Sequence, residues 1–418
     1  MPSDGCGRAA IPLAVRQWYS FHEFEGYLGV SVYSADAGGI ERTMISGPMV
    51  FTVVGLVIGP LGLGWLQPDV DNDGLRALAD ITLALVLFID AANADLGVVK
   101  RGFRIPQRML AFGLPLTILL GFGLGLLLFD QLSVFELAIL ATMLAATDAA
   151  LGKAVITNKA VPARIREGLN VESGLNDGIC VPILFLFIAL ALGTDTGESS
   201  ATFAVKLVAQ EVGIGLVVGL GMAAMGAWIL RVCYKRRWIT EIWMQLPVVA
   251  LALGSFSVAQ TLHGSGYVAA FVGGLLFGSY KTPETHGLIL AAEGASETLA
   301  LLTWVMFGSA VLGQSLGYFS WQVVVYAILS LTVVRMLPMF VSLTGSGETT
   351  TSKLFLGWFG PRGLASIVFA IIVVNRGVEG GGFLAITVVF TVALSIFAHG
   401  FTANPLSRTL GPRMESRR

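Results

Sequence analysis

The residues with the clearest chemical potential lie at positions 172–177, sequence ESGLND, at the start of a long apolar stretch. Glu172 and Asn176 are four residues apart, as are Ser173 and Asp177, so on a helix each pair shares a face. A carboxylate at membrane depth costs at least about 2.5 kcal/mol and normally faces a cavity, a partner charge or an ion path. Two carboxylates, a hydroxyl and an amide at this place therefore indicate a cation-binding site inside a membrane.

A second polar pair, Thr147-Asp148, lies late in an earlier apolar segment. A helix break there would free backbone carbonyls and make the pair a second wall of the cation site. In the alternative interpretation, Asp148 caps a new helical turn and Thr147 bonds back to its own backbone.

A hard cation prefers oxygen ligands. The side chains that we predict around it are Asp177, Asp148, Thr147, Ser173 and Asn176. Asp177 is the predicted central residue, where a proton and a cation compete for one carboxylate.

Arg362 lies inside a further apolar segment, next to Pro361 and Gly363. An arginine at membrane depth needs a counter-ion, and a proline between glycines indicates a broken helix. We predict that Arg362 forms a structural ion pair with Glu172 that orients the site. Pairing of Arg362 with another group is the alternative.

The composition excludes several classes of protein. The chain has 418 residues, of which 55% are hydrophobic and 13% charged, whereas soluble domains carry about a quarter charged residues. A net charge of -1 gives no basic surplus for nucleic acid. The three cysteines and four histidines are scattered without metal-ligand spacing, so we expect neither a metal enzyme nor a cofactor.

Apolar stretches of spanning length recur along the chain and predict an all-α polytopic membrane protein. The twelve predicted spans are 44–66, 75–94, 109–129, 132–156, 167–192, 205–231, 243–262, 265–280, 295–313, 320–343, 354–374 and 383–403. Lysines and arginines concentrate in alternate loops, for example at 153–166 and 231–237, and in the tail. Because positive loops prefer the cytoplasm, both termini are predicted to be cytoplasmic.

Together, residues 47–51, 59–62, 147–148, 172–177 and 360–363 resemble the motifs of NhaP-type sodium/proton antiporters, within the monovalent cation:proton antiporter-1 family. The motifs occur in the family's order over roughly residues 44–405. The resemblance implies inverted repeats with discontinuous, crossed helices, divided into a dimerisation domain and a mobile core. It also implies a homodimer in the inner (plasma) membrane.

The resemblance further implies roles for individual residues. Asp177 would bind the cation or the proton, and Na⁺ would lie among Asp177, Ser173, Asp148 and Thr147. Glu172 would pair with Arg362. The Asn176-Asp177 pair implies electroneutral exchange of one proton for one monovalent cation. Ala149 stands where the family commonly has proline, so a softer helix break is expected.

Residues 1–43 form an irregular N-terminal segment that does not supply the family's usual first helix. A transmembrane antiporter domain is expected at 44–405, and a short basic cytoplasmic tail at 406–418. The family's usual count is thirteen spans with an extracellular N-terminus, and loss of the first helix leaves twelve. We therefore expect an N-terminus altered by truncation or a reading-frame change.

The sequence predicts a secondary antiporter that exchanges Na⁺, or Li⁺, for H⁺, with no cofactor besides the transported ions. K⁺/H⁺ exchange is an alternative, because ligand types do not fix cavity size. A transport-impaired family member with an altered N-terminus is a second alternative. A membrane-embedded hydrolase would need a nucleophile with a base or a metal pair, and the dispersed histidines and cysteines supply neither.

Overall fold

The structure is a computed structural model, and its described residues are 45–66, 73–94, 104–193, 200–280 and 283–415. These residues form helices joined by short connections, and they contain no strand. The predicted irregular segment at 1–43 lies outside the described residues.

The helices follow one another along the chain and are numbered here in that order. They are α1 (Gly47–Ile58), α2 (Asp73–Asn93), α3 (Arg104–Leu128), α4 (Val134–Met143), α5 (Ala149–Ile156), α6 (Ala163–Leu192), α7 (Ser200–Lys235), α8 (Leu246–Thr261), α9 (Gly266–Ser279), α10 (Pro283–Met306), α11 (Trp321–Ser342), α12 (Thr350–Trp358), α13 (Leu364–Asn375) and α14 (Gly381–Glu415). One π-helical turn, Met109–Gly113, lies within α3, and another, Phe307–Leu312, continues α10.

Each predicted span overlaps a helix, and the described residues contain twelve helical units when two broken spans are each counted once. Seven helical stretches are long and apolar enough to cross a membrane, and shorter apolar helices accompany them. The predicted all-α polytopic architecture is therefore confirmed. Helix α14 continues beyond residue 405 to Glu415, so most of the predicted tail is helical.

Two of the twelve units are discontinuous, as the sequence predicted. Residues 144–148, the first break, separate α4 from α5, and residues 359–363, the second break, separate α12 from α13. Asp148 ends the first break as the capping residue of α5. Pro361 lacks a backbone N–H and is disfavoured inside a helix, which explains the interruption of the second unit.

The helices divide into two bundles by their contacts. In the scaffold bundle, α2, α7, α8 and α10 pack around α9, and α1 packs on α10. The site bundle contains α3–α6 and α11–α14 and holds both breaks. The two bundles meet mainly where α2, α7 and α9 pack on α6 and where α2 packs on α13.

The outer surface is apolar, as lipid contact requires, and the interior carries polar groups. Leu127 and Val217 are 81% and 68% exposed, while the carboxylate of Glu172 and the guanidinium of Arg335 are buried. Exposure of so many apolar side chains to water would be unfavourable, whereas in a membrane they contact the apolar lipid tails. Helix α7 is mostly exposed, whereas α6 is mostly buried and carries the polar face to the centre of the site bundle.

Candidate functional site

The two breaks cross at Asp148. The backbone N–H of Asp148 donates to the carbonyl of Pro361 at 2.8 Å. The Asp148 carboxylate accepts the N–H of Leu151 in α5 at 3.2 Å and the N–H of Leu364 in α13 at 2.8 Å. One carboxylate therefore caps the N-termini of both downstream half-helices, where their dipoles favour negative charge. The structure shows the cap that the alternative interpretation gave Asp148, and the group also lies beside the candidate site. The other part of that interpretation is wrong, because the Thr147 hydroxyl contacts the side chains of Asn176 at 3.1 Å and Glu172 at 3.4 Å and not its own backbone.

Two glycines allow this close crossing. A Cβ at Gly363 would collide with the Asp148 carboxylate, and a Cβ at Gly360 would collide with the Arg335 guanidinium. Pro361 between them supplies the carbonyl that the Asp148 N–H uses. The GPRG sequence is thus explained by close approach and by the loss of a backbone donor.

Asp177 lies on α6 beside the first break. Its Oδ1 accepts the backbone N–H of Thr147 at 3.1 Å, and the side chain is only 6% exposed. The hydroxyls of Thr147 and Ser173 are 3.4 Å apart. The structure therefore brings Asp177, Ser173, Thr147 and Asp148 to one place, although they come from two separate helical units.

Asn176 ties α6 to the first break. Its Nδ2 lies 3.1 Å from each of three acceptors, the Ala145 carbonyl, Thr147 Oγ1 and Glu172 Oε1. Its Oδ1 accepts from the Cys180 thiol at 3.3 Å. Both polar atoms of this fully buried amide are thus engaged within the protein, so Asn176 braces the neighbours of Asp177.

The predicted partner of Glu172 is wrong. Glu172 pairs with Arg335 of α11, with Nη1–Oε1 at 2.9 Å and Nη2–Oε2 at 3.0 Å, in a buried bidentate geometry. Such a pair is geometrically specific, because two parallel bonds join two planar groups. The sequence offered a signal for it, since Arg335 is the one charged residue of the apolar stretch 321–342.

Arg362 binds backbone carbonyl groups and not Glu172, because the first break leaves carbonyls beside it without helical partners. Its Nη1 donates to the carbonyls of Ala145 and Ala146 at 3.1 and 3.2 Å. Its Nε and Nη2 donate no hydrogen bond within the described residues. Arg362 therefore satisfies backbone carbonyls that the interrupted helix leaves without partners.

Ser395 and His399 of α14 form hydrogen bonds with both ends of the second break. The sequence analysis did not predict this pair. The backbone N–H of Arg362 donates to Ser395 Oγ at 2.7 Å, and Ser395 Oγ lies 3.1 Å from His399 Nδ1. His399 Nε2 lies 2.9 Å from the carbonyl of Trp358, the last residue of α12. With a proton on Nε2, one chain of bonds spans both ends of the break.

Replacing His399 by leucine is expected to lower stability by about 0.5–1.5 kcal/mol, because the Ser395 hydroxyl loses its ring partner and the Trp358 carbonyl keeps only the Gly360 N–H. The same change is expected to raise the cation concentration needed for half-maximal transport. His399→Gln keeps a donor and an acceptor and should retain both properties. The melting temperatures and the half-maximal cation concentrations of the two variants test this. Equal values for the leucine and glutamine variants would contradict the role of His399 at the second break.

An acidic cavity of approximately 630 Å³ lies between the two bundles. Asp177 and Asp148 line it, and its other charged or amide-bearing residues are Asp90, Asn93, Lys153, Asn170, Glu293 and Glu297. Two contacts join groups across it: Asn93 Nδ2 donates to Glu293 Oε1 at 2.9 Å, and Lys153 Nζ pairs with Glu297 Oε1 at 2.8 Å. The carboxylates of this cavity enrich cations near Asp177.

Two crossed discontinuous units around a buried carboxylate define a polytopic membrane protein with an ion-transporter architecture. The family model described as sodium/hydrogen exchanger, transmembrane, matches residues 30–409. The chain belongs to this family, and the resemblance to NhaP-type monovalent cation:proton antiporters is confirmed.

Individual relatives are distant in sequence. The K(+)/H(+) antiporter NhaP2 of Shewanella sp. (strain MR-4) is 22% identical over 361 residues, covering 86% of this chain and 62% of the relative. This chain therefore spans under two thirds of the length of that relative. The Na(+)/H(+) antiporter of Schizosaccharomyces pombe is 24% identical over 351 residues, covering 79% of this chain and 74% of the relative.

The fold is also that of a solved structure. The sodium proton antiporter MjNhaP1 from Methanocaldococcus jannaschii at pH 8 superposes with a TM-score of 0.74. The match covers 96% of this chain and 100% of that chain, at 18% sequence identity. The predicted antiporter fold is therefore confirmed.

Proposed function

We propose that this protein exchanges a monovalent cation for H⁺ across the membrane, with Asp177 as the carboxylate that the two ions occupy in turn. The observation that carries the proposal is the distribution of charge around the crossed breaks. Glu172 is neutralised by Arg335 at 2.9 Å, and Asp148 caps two half-helices. Asp177 accepts one backbone N–H and lines the acidic cavity, so it is the carboxylate best suited to exchange its counter-ion.

The exchange is electroneutral in this proposal. A buried carboxylate without a compensating charge is costly, so the site is stable when Asp177 carries either a proton or a monovalent cation. One carboxylate then moves one positive charge in each direction. The ligands proposed for the cation are Asp177, Ser173, Asp148 and Thr147, while Asn176 keeps them in place.

Na⁺ is the first proposed cation, because carboxylate and hydroxyl oxygens form a compact, hard ligand set. K⁺ is the second candidate, and the name of the Shewanella NhaP2 relatives, K(+)/H(+) antiporter, favours it. The name of the Schizosaccharomyces pombe relative, Na(+)/H(+) antiporter, favours Na⁺. The two candidate functions differ in the cation that is transported, and in both it is exchanged for H⁺.

The proposed location is the inner (plasma) membrane, with both termini cytoplasmic. Lys153 lies at the acidic cavity, and the basic residues 159–166 follow it closely in sequence. Arg164 Nη2 donates to the carbonyl of Met414 at 3.2 Å, so the end of α14 is on this same side. Because positive loops prefer the cytoplasm, the acidic cavity opens inward. A homodimer formed through the scaffold bundle is proposed from the family resemblance.

The test is dequenching of a ΔpH-sensitive dye in everted vesicles from an antiporter-deficient host. Na⁺, Li⁺ and K⁺ are added in turn to wild type, Asp177→Asn and the cavity control Glu293→Gln at matched membrane levels. We expect a cation-triggered signal in wild type and in Glu293→Gln, and none in Asp177→Asn.

The outcomes separate the candidates. A response to K⁺ without one to Na⁺ would select the second cation. A signal that persists in Asp177→Asn would contradict the role of Asp177. No signal from well-inserted wild type would favour the transport-impaired alternative.

A further inference from the structure

A second pocket lies on the outside of the scaffold bundle, away from Asp177. It has a volume of approximately 300 Å³ and is formed by the last turns of α7, the end of α9 and the start of α10. Phe277 and Leu288 are buried at its apolar floor. The polar side chains that line it are Arg231, Tyr234, Lys235, Tyr280 and Thr285. The pocket is therefore apolar at the base, with cations and hydroxyls along one side.

The two cations of this pocket are available to a ligand. Arg231 and Lys235 are exposed and lie one helical turn apart on α7. Neither forms a salt bridge with a carboxylate among the described residues. Lys235 lies in the last turn of α7, where the helix dipole favours positive charge. That position does not explain Arg231, or why phenol and threonine hydroxyls line the same pocket.

The aromatic side chains at the pocket are of the types that favour the membrane–water interface, where lipid headgroups lie. Trp228, one turn before the cations, is 66% exposed and borders the pocket, and tryptophan and tyrosine are enriched at the membrane–water interface. Thr285 lies two to three turns before Glu293 of the acidic cavity on the same helix. Both cavities thus open toward one side of the membrane, where the lysines and arginines of the loops concentrate.

We propose that this pocket binds the phosphodiester headgroup of an anionic phospholipid, with Arg231 and Lys235 at the phosphate. Basic pockets between transmembrane helices on the cytoplasmic side suit such headgroups. The Tyr234 and Tyr280 hydroxyls and the Thr285 hydroxyl lie where polar headgroup atoms would be, and the first acyl carbons lie against Phe277. The site is independent of the transported ion and lies outside the ion path.

The chain supplies a matched control. Arg236 and Arg237 follow directly in sequence and carry the same charge, but they do not line the pocket. The Arg236 guanidinium lies over the Trp238 ring at 4.9 Å instead. If lipid binding came from general attraction to an anionic surface, all four cations would contribute alike. If the pocket binds the headgroup, binding depends on Arg231 and Lys235.

The experiment is a native mass-spectrometric titration of delipidated full-length protein with phosphatidylglycerol, and with phosphatidylcholine of the same acyl chains. Wild type is expected to prefer phosphatidylglycerol by about 30-fold, which corresponds to about 2 kcal/mol from two cations. Arg231→Gln/Lys235→Gln should remove most of this preference. Arg236→Gln/Arg237→Gln should change it by less than about threefold.

Three results would overturn the proposal. Equal losses in the two double variants would indicate diffuse charge attraction. Displacement of the lipid by inorganic phosphate at matched concentration would indicate a site for the free anion. A change of oligomeric state in Arg231→Gln/Lys235→Gln, with lipid binding unchanged, would assign the pocket to a contact between subunits.

Discussion

Arg335→Gln is expected to destabilise the protein more than any other single substitution at the site, by about 3–5 kcal/mol. The change leaves the Glu172 carboxylate buried without its bidentate partner. Removing one partner of a buried ion pair lowers stability far more than replacing both partners with uncharged residues. The melting temperature of the purified protein, compared with wild type, measures the effect.

Arg362→Gln is the matched control, because it shortens the other buried arginine of the site. The glutamine amide is too short to reach these carbonyls, but Ala145 keeps the Asn176 amide as a donor and Glu172 keeps its bidentate partner Arg335, so a smaller loss of about 1–2 kcal/mol is expected. Glu172→Gln in combination with Arg335→Gln removes both charges and should recover part of the lost stability. Equal losses for the two single variants, or additive losses in the double variant, would contradict the assignment of the ion pair.

The second large effect is on transport. Asp177→Asn is expected to abolish cation-driven proton movement and to change stability by less than about 1 kcal/mol. Asparagine has nearly the same size and its oxygen can still accept the Thr147 N–H, but its amide neither releases a proton nor neutralises a cation. Vesicle transport and the melting temperature, measured on the same preparations, separate loss of exchange from loss of fold.

Asp148→Asn serves as its control, because asparagine is also a good helix cap. Its N-cap bonds to Leu151 and Leu364 can be retained in part, so we expect weakened exchange and no complete loss. Complete loss in Asp148→Asn with residual activity in Asp177→Asn would reverse the roles of the two carboxylates.

Much of this architecture follows from local sequence. Apolar stretches of spanning length give the helical units, and loop charges predict their orientation. Both breaks are visible in the sequence because a capping aspartate and a proline between glycines each oppose a continuous helix. The four-residue spacing of Ser173 and Asp177 correctly places them on the same part of α6.

The pairing of the buried charges did not follow from sequence. Glu172, Arg335 and Arg362 each lie inside an apolar segment, and charge balance alone allows either arginine as the partner. The choice depends on where the breaks cross, since the carbonyls of Ala145 and Ala146 already engage Arg362. Ser395 and His399 were missed for a similar reason, because their partners are backbone groups of a helix distant in sequence.

The most direct test of the central claim is the dependence of apparent cation affinity on pH in wild-type proteoliposomes. If a proton and a cation compete for Asp177, the cation concentration at half-maximal rate should rise about tenfold for each unit that pH falls in the acidic range. The maximal rate at saturating cation should change little over the same range. A half-maximal concentration that stays constant while only the maximal rate falls would contradict competition at a single carboxylate.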